Sequence, residues 1–353
     1  MKKLKLFIIL GVEFAALAFM LILIFMAGKK QYTVTFDLNG GTLLGGNLEQ
    51  SVTQGSDASP PSAYKAGHYL RGWSGSYKKV TGDVTVKAIW EYETTPGIEY
   101  ATKQTYAEIT GSFSALEGEI YIGAYYGDYR VLGIRDSAFE NRDRIEKIHL
   151  LSGIIKIGNA TFRDCDSLES IELPSSTTSI GEEAFANCKS LKKISLPASL
   201  RELGKRAFAD CKSLETVYIS SAIEHIDASA FEGCTSLKKV VFKSPSSNKD
   251  KEIEIKPTLI IDNSAFKNCV KLESIELPSH TLAIADEAFY GCSSLTEIVI
   301  PEKVAIIGAG AFNTDGLKIK LDHNDPSTIP FGWVSSWNIG GTVIYGYDKD
   351  AEE

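Results

Sequence analysis

Apolar residues return at a fixed interval over more than half of this chain. Eight phenylalanines mark the interval, and they are 23 residues apart except for one spacing of 35: Phe139, Phe162, Phe185, Phe208, Phe231, Phe266, Phe289 and Phe312. In most copies an apolar residue also stands five positions before the phenylalanine and nine and eleven positions after it. A unit of this length cannot bury its apolar face alone, so the period predicts a solenoid of stacked coils.

Each unit predicts one short strand and one short helical turn. The strand is represented by Ile194, Ser195 and Leu196, where two apolar side chains point inward and the middle one points outward. Pro197 ends the strand because proline has no N–H to donate. Residues 182–188 predict a helix of about one or two turns. The fold expected is therefore a mostly β solenoid with short helical turns.

The repeats resemble the leucine-rich repeats of the BspA-like bacterial surface protein family, whose units read roughly L-x-x-I-x-L-P-x-x-x-x-x-I-G-x-x-A-F-x-x-C. The resemblance covers residues 131–321, and it implies a leucine-rich repeat solenoid on a surface protein. Gly158, Gly181, Gly204 and Gly308 match the glycine of that pattern, whereas Asp227, Asp262 and Ala285 replace it. These replacements put the geometry of the turn in doubt in those three copies, but they do not affect the fold assignment.

All six cysteines occupy one position of the repeat, three residues after the phenylalanine: Cys165, Cys188, Cys211, Cys234, Cys269 and Cys292. Stacking could bring neighbouring rungs close enough for a disulfide. A buried thiol that acts as a small hydrophobic side chain is the simpler interpretation, and we expect the cysteines to be reduced and structural. The chain has no Cys-x-x-Cys spacing and no Cys/His cluster, so no metal site is expected.

Residues 1–30 predict a signal anchor with a transmembrane helix at residues 6–27. This apolar run follows a basic N-terminus, and its 22 residues would span about 33 Å as a helix. Glu13 costs about 2 to 3 kcal/mol there, which the surrounding Leu, Ile, Phe and Val residues outweigh. A cleaved signal peptide is the alternative, but its apolar region is usually only about 7 to 15 residues long. The lysine distribution places the C-terminal ectodomain outside the cell.

Residues 31–92 form a separate small module. Val34 and Phe36 alternate with polar residues, as do Val84 and Val86, and each alternation predicts a strand. The segments 34–41, 67–73 and 84–90 resemble the internalin-type B repeat. That resemblance implies a small β-grasp-like domain of the kind found on bacterial surface proteins.

The remaining segments predict a linker and caps. Residues 93–130 are expected to form a linker and a β-structured N-terminal cap, and residues 322–353 a C-terminal cap and tail. Phe331, Trp333 and Trp337 are expected to close the C-terminal end. The twelve-residue excess in the long interval falls near residues 243–251, which predict a solvated excursion between coils.

Charge and motifs argue against several classes of function. The net charge of −8 disfavours binding to nucleic acid, which needs lysine and arginine to neutralise phosphates. No catalytic motif, phosphate-binding loop or cofactor site is present in the sequence. The acidic cluster at 322–325 lacks the spacing of a calcium loop and is interpreted as a solvated turn. We therefore expect neither an enzyme nor a bound cofactor.

The positions that do not repeat carry the functional prediction. They lie eight and ten residues after each phenylalanine, on the outward side of the predicted strands, and stacking would place them on one continuous sheet surface. We call this surface the candidate binding face, and its predicted members are Lys147, His149, Glu172, Lys193, Ser195, Thr216, Tyr218, Lys239, Val241, Glu276 and Val299.

The sequence thus predicts a membrane-anchored bacterial surface protein that binds a protein or glycan partner through this face, in adhesion or recognition. The alternative is a structural spacer or envelope-assembly component without a dedicated ligand. Tyr218 beside Val241 is the pair that most favours binding, because exposed apolar side chains that lie together mark interaction sites.

Overall fold

The computed structural model describes residues 30–65, 67–151, 153–243, 258–321 and 329–346. Within these ranges all regular secondary structure is β-strand, and no helix is long and apolar enough to cross a membrane. The predicted transmembrane helix at 6–27, the excursion from residue 244 onward, the acidic cluster at 322–325 and the acidic tail lie outside the described residues. The chain divides into two compact units between Glu93 and Thr94.

The first unit is a small β-domain. Its strands are β1 (Gln31–Asp37), β2 (Thr42–Gly45), β3 (Glu49–Thr53), β4 (Ser62–Tyr64), β5 (His68–Trp73) and β6 (Val84–Tyr92). A four-stranded sheet has the order β3-β1-β6-β5, in which β1 and β6 run parallel, and β2 pairs with β4 separately. The predicted strands at 32–38 and 84–90 are thus the two central strands of this sheet.

The core of the first unit forms around Phe36, whose ring meets Trp73 edge-on at a centroid distance of 4.9 Å. The turn after β1 lies against the indole of Trp90, which donates from Nε1 to the carbonyl of Leu38 at 2.8 Å. Gly41 is required in this turn, because a Cβ there would come within 2.3 Å of the Trp90 ring. The indole leaves no room for a side chain at this position, which explains why Gly41, the second glycine after Asn39, has none.

The second unit is the solenoid. Its first strands are β7 (Ile98–Thr102), β8 (Tyr106–Ser112), β9 (Gly118–Ile122), β10 (Tyr125–Tyr126), β11 (Tyr129–Ile134), β12 (Ile145–Leu150), β13 (Lys156–Ile157), β14 (Ser170–Glu172), β15 (Ser179–Ile180), β16 (Lys193–Ser195), β17 (Glu202–Leu203) and β18 (Thr216–Ser220). The strands that follow are β19 (His225–Ile226), β20 (Lys239–Lys243), β21 (Leu259–Ile261), β22 (Ser274–Ile275), β23 (Thr281–Ile284), β24 (Glu297–Ile300), β25 (Ile306–Ile307), β26 (Phe312–Asn313), β27 (Lys318–Leu321), β28 (Gly332–Trp333), β29 (Asn338–Ile339) and β30 (Thr342–Ile344).

Successive coils stack through parallel strands. The longest ladder is a 12-stranded sheet with the order β28-β25-β23-β21-β19-β17-β15-β13-β11-β8-β7, to which β10 adds at β11. We call it the second sheet. Its inward residues, represented by Ile157, Ile180 and Leu203, are buried, and they are the apolar residues five positions before each phenylalanine. The antiparallel hairpin of β7 and β8 ends the sheet on the N-terminal side.

The phenylalanines form one buried column. All eight have no exposed surface, and neighbouring rings stack with centroid distances between 5.0 and 5.4 Å. Trp337 ends the column with its ring edge-on to Phe312 at 6.0 Å. Each of the six cysteines donates from Sγ to the carbonyl of the phenylalanine of the preceding coil, as Cys211 does to Phe185 at 3.1 Å.

The predicted short helical turns are not seen. Glu183 and Asn187 have positive φ values of 53° and 61°, which a right-handed helix does not contain. The N–H groups of Glu183, Phe185 and Asn187 donate to carbonyls of the next coil instead of to carbonyls four residues earlier. The segment is therefore a run of tight turns that stacks flat on its neighbours.

The C-terminal end differs in one respect from the prediction. Trp333 and Trp337 are buried and meet edge-on at 5.1 Å, and Trp333 pairs with Ile307 as the last rung of the second sheet. Phe331, which we expected to close the end with them, is fully exposed. It lies in the turn before β28, outside the strand pairing that buries the tryptophan.

Candidate binding face

The strands that carry the candidate binding face form three hydrogen-bonded sheets rather than one. The orders are β14-β12-β9, β16-β18-β20-β22 and β24-β27-β30. Both breaks coincide with proline in the two neighbouring coils. Pro174 and Pro197 follow the strands on either side of the first break, and Pro278 and Pro301 follow those at the second. Two adjacent coils then lack a backbone donor at the same position, whereas every continuous pair of strands has a proline in at most one partner.

The side chains predicted for this face do point outward. Lys147, Glu172, Lys193, Ser195, Lys239 and Glu276 are exposed, and His149, Thr216, Tyr218, Val241 and Val299 are half-buried. The alternating residues of the same strands, such as Ile194 and Val217, are buried in the core. The inward and outward assignment derived from the alternation is therefore correct at all of these positions.

Tyr218 is the centre of the four-stranded sheet. In the parallel register it lies between Ser195 on β16 and Val241 on β20. The ammonium group of Lys243 lies over its ring, with Nζ 3.9 Å from the centroid. A cation at this distance is attracted to the face of the ring, so the contact fixes the orientation of both side chains.

In the N-terminal sheet of the face, the outward side chains contact one another. His149 stacks on Tyr121 with a centroid distance of 4.5 Å and an interplanar angle of 9°. Its Nε2 lies 2.6 Å from Oε1 of Glu119, and this hydrogen bond is the main cause that lowers the pKa of the Glu119 carboxyl. Tyr121, His149 and Glu119 thus already contact one another, which leaves this sheet less open to a partner.

The C-terminal sheet carries Val299, which pairs in register with Lys320. The ammonium of Lys320 lies 2.8 Å from Oε1 of Glu297, so that its charge is neutralised within the sheet. Glu276 stands just after β22, at the edge of the central sheet. The eleven predicted residues are accordingly shared among three sheets.

Sequence reasoning missed three residues of this face: Tyr121, Lys243 and Lys320. Tyr121 belongs to β9, which precedes the first phenylalanine, and the alternation of Ile120, Tyr121 and Ile122 was the signal that could have found it. Lys243 occupies the position where half of the coils have proline, two residues after the outward position of the strand. Lys320 lies at the same outward position as Tyr218, one coil after Val299.

The face offers groups for noncovalent binding. Among the described residues, no cluster of His, Cys, Asp and Glu could hold a metal ion. The cysteines are buried free thiols, and burial raises the pKa of Cys165 and Cys292, the first and last cysteines of the row, to about 12. A buried neutral thiol is a poor nucleophile, which agrees with the structural role predicted for these residues.

The stacked coils and the outward face define a protein of the leucine-rich repeat class, a fold whose members typically act as non-enzymatic binding or scaffold proteins. Residues 133–253 and 259–324 match the family described as BspA type leucine rich repeat region, in six copies. The match covers more than half of the chain, and the chain belongs to this family. Membership indicates a bacterial surface or adhesion-type protein.

Several solved structures are similar to the chain. The leucine-rich repeat protein of T. pallidum is 26% identical over 63% of this chain and 88% of that one, with a TM-score of 0.45. A leucine-rich repeat protein from Bacteroides ovatus is 24% identical over 72% and 71% of the two chains, also with a TM-score of 0.45. The pneumococcal vaccine antigen PcpA is 18% identical over 73% and 88%, with a TM-score of 0.35. No curated protein matches the chain.

Proposed function

We propose that this chain is a bacterial surface protein, held in the cell membrane by residues 6–27, that binds a protein or glycan partner through the candidate binding face. The proposal rests on a contrast between the repeating positions and the variable positions of the coils. Positions that repeat are buried, whereas the outward positions that vary from coil to coil lie together on the three sheets of the face. Packing does not determine the side chains at these outward positions, and solenoids use such surfaces for binding.

The first unit is proposed to be an internalin-type B repeat module with a β-grasp-like fold, which acts as a stalk or a second contact. Its resemblance to that repeat and its small four-stranded sheet with a parallel central pair support the proposal. In the proposed topology the module follows the transmembrane segment directly, because β1 begins at Gln31.

Proteolysis of intact cells tests the membrane topology. A protease added outside is expected to cleave the repeats while a cytoplasmic marker protein stays intact, since residues 31–353 would be extracellular. Cells opened with detergent serve as the control for access. If the repeats of sealed cells stay protected, the outside location is wrong.

Combined substitution of the central sheet tests the binding role. Lys193→Ser, Tyr218→Ser and Val241→Ser together should abolish recovery of the surface partner in a pull-down, because these side chains are outward and carry no core packing. The thermal unfolding midpoint should stay close to that of the unchanged chain. An unchanged set of recovered partners would favour the alternative, a spacer or envelope-assembly component without a dedicated ligand.

A further inference from the structure

The central four-stranded sheet carries three lysines, a tyrosine and a valine close together on its outward side. Lys193, Lys239 and Lys243 are exposed there, and Tyr218 and Val241 are half-buried between them. We call these five residues the central patch. Lys193 and Lys239 pair with Thr216 on either side, so they stand two strands apart, at about 10 Å.

The lysines of the central patch differ from their neighbours in pairing. Lys192 and Lys238 lie next to Lys193 and Lys239 in the sequence, and they form ion pairs with Glu169 and Glu215 at 3.1 and 3.2 Å. Within the described part of the chain, none of the three patch lysines forms an ion pair. Three cations that lack an ion-pair partner among the described residues create a local positive potential on a chain of net charge −8.

An acidic residue borders the central patch on one side. The coil before it carries Glu172 at the outward position that Ser195, Tyr218 and Val241 occupy on the central sheet. An anionic partner is therefore attracted to the patch and repelled at the coil that precedes it, which helps to fix its place along the solenoid.

Tyr218 and Val241 indicate that the partner also carries an apolar side chain. Tyr218 and Val241 are in register on adjacent strands, and Lys243 covers one face of the tyrosine ring. What remains accessible is an apolar strip beside three cations. An aliphatic or aromatic side chain fills such a strip, and tyrosine is among the residues that most often dominate protein interfaces.

We infer that the central patch recognises an acidic protein segment in which carboxylates flank an apolar side chain. The inference rests on the proposed function and specifies its partner. Carboxylates pair with Lys193, Lys239 and Lys243, while the apolar side chain packs against Tyr218 and Val241.

Calorimetric titration of the purified full chain in detergent tests the inference with two synthetic peptides. One peptide has glutamates on both sides of a central leucine, and the other has glutamines in place of the glutamates. The glutamate peptide should bind about tenfold or more tightly than the glutamine peptide, and added salt should weaken it. Combined Lys193→Glu and Lys239→Glu substitution should reduce binding by about tenfold or more.

The matched control is combined Lys103→Glu and Lys156→Glu substitution, which reverses two exposed lysines outside the central sheet, as many as the patch variant reverses. Lys156 is an exposed lysine on the second sheet, at the outward position of β13, so its reversal changes the net charge without altering the patch. Binding of the glutamate peptide should change by less than about twofold in this variant. An equal loss in the control and in the patch variant would overturn the inference, because the total charge and not the patch would then control binding.

Three further outcomes separate this inference from the proposed function. Equal affinity for both peptides, lost in Tyr218→Ser, would overturn the acidic partner but support binding through the face. Lysine-dependent binding of heparin without binding of the glutamate peptide would assign an anionic glycan instead of a protein. No binding of either peptide or of heparin would overturn the acidic partner, and the pull-down with the combined Ser variant then decides whether the face binds at all.

Discussion

At the scale of single residues, the phenylalanine carbonyl links neighbouring coils, because it accepts hydrogen bonds from cysteines of two coils. The carbonyl of Phe185 accepts from the backbone N–H of Cys188 in its own coil and from Sγ of Cys211 in the next coil. Both acceptor positions of this buried oxygen are thus used. The sequence period placed these residues correctly in one layer, but the thiol–carbonyl bond required coordinates.

Phe208→Ala should lower the free energy of unfolding by about 3 to 5 kcal/mol, because a fully buried ring is lost from the middle of the column and a cavity remains. Chemical denaturation followed by circular dichroism measures the change. Phe331→Ala is the matched control, since Phe331 is fully exposed, and it should shift stability by less than about 0.5 kcal/mol. Comparable losses in the two variants would contradict the stacked column.

Stability should fall as the pH rises from about 9 toward 12, because burial raises the pKa of Cys165 and Cys292 from 9.0 to about 12. In this window the unfolded chain releases thiol protons that the folded chain keeps, so unfolding becomes more favourable with increasing pH. Each thiol contributes a slope of about 1.4 kcal/mol per pH unit. Denaturation curves of a Cys165→Ala, Cys292→Ala variant should show a shallower decline, and an unchanged slope would show that these thiols ionise as readily when folded.

At the scale of elements, the alternation of apolar residues predicted the strands of the candidate binding face and their inward sides. The strands of the second sheet were not predicted, and the helical turns were predicted wrongly. A short run such as residues 182–188 satisfies helical spacing, but two left-handed residues per coil direct its N–H groups to the next coil. Single-sequence patterns report which side chains are buried and not where the backbone donors go. The two breaks between the three sheets coincide with prolines in consecutive coils, a signal that is present in the sequence.

Gly204→Ala should destabilise the solenoid by about 1 to 3 kcal/mol through overpacking. An added Cβ there would come within 2.6 Å of the backbone nitrogen of Glu182 in the preceding coil. Thermal unfolding measures the loss. Ala285→Gly is the control at the same position of a later coil, and its cost should stay below about 1 kcal/mol, the effect of glycine on the unfolded chain. A neutral Gly204→Ala would mean that the coils do not approach this closely.

At the scale of the whole molecule, the repeat contains two kinds of position: buried positions that form the core and outward positions that vary from coil to coil. The outward positions could be predicted because packing fixes their alternation, and the structure places all eleven on solvent-facing sides of strands or at a strand end. Their grouping into three sheets was not predicted, since it depends on which neighbouring coils keep a continuous ladder. The central patch, whose lysines form no ion pair among the described residues, required the coordinates.

Coupling between coils is local, so damage should stay local as well. In Phe208→Ala, hydrogen exchange should accelerate most in the coils on either side of residue 208 and least at the two ends of the solenoid, because each coil contacts only its neighbours. Mass spectrometry of the exchanged full chain resolves these regions. Uniform acceleration over the whole second unit would show that the array opens as a single cooperative block.

Site-specific photo-crosslinking on intact cells tests the central claim that the central sheet is a binding surface. A photoreactive phenylalanine analogue replaces Tyr218 in one strain and Lys156 on the second sheet in the other, and both strains are irradiated alone and with the glutamate peptide added. The account predicts a discrete adduct of higher mass at position 218 and none at position 156. Equal labelling at both positions, or no adduct at position 218 under any condition, would contradict it.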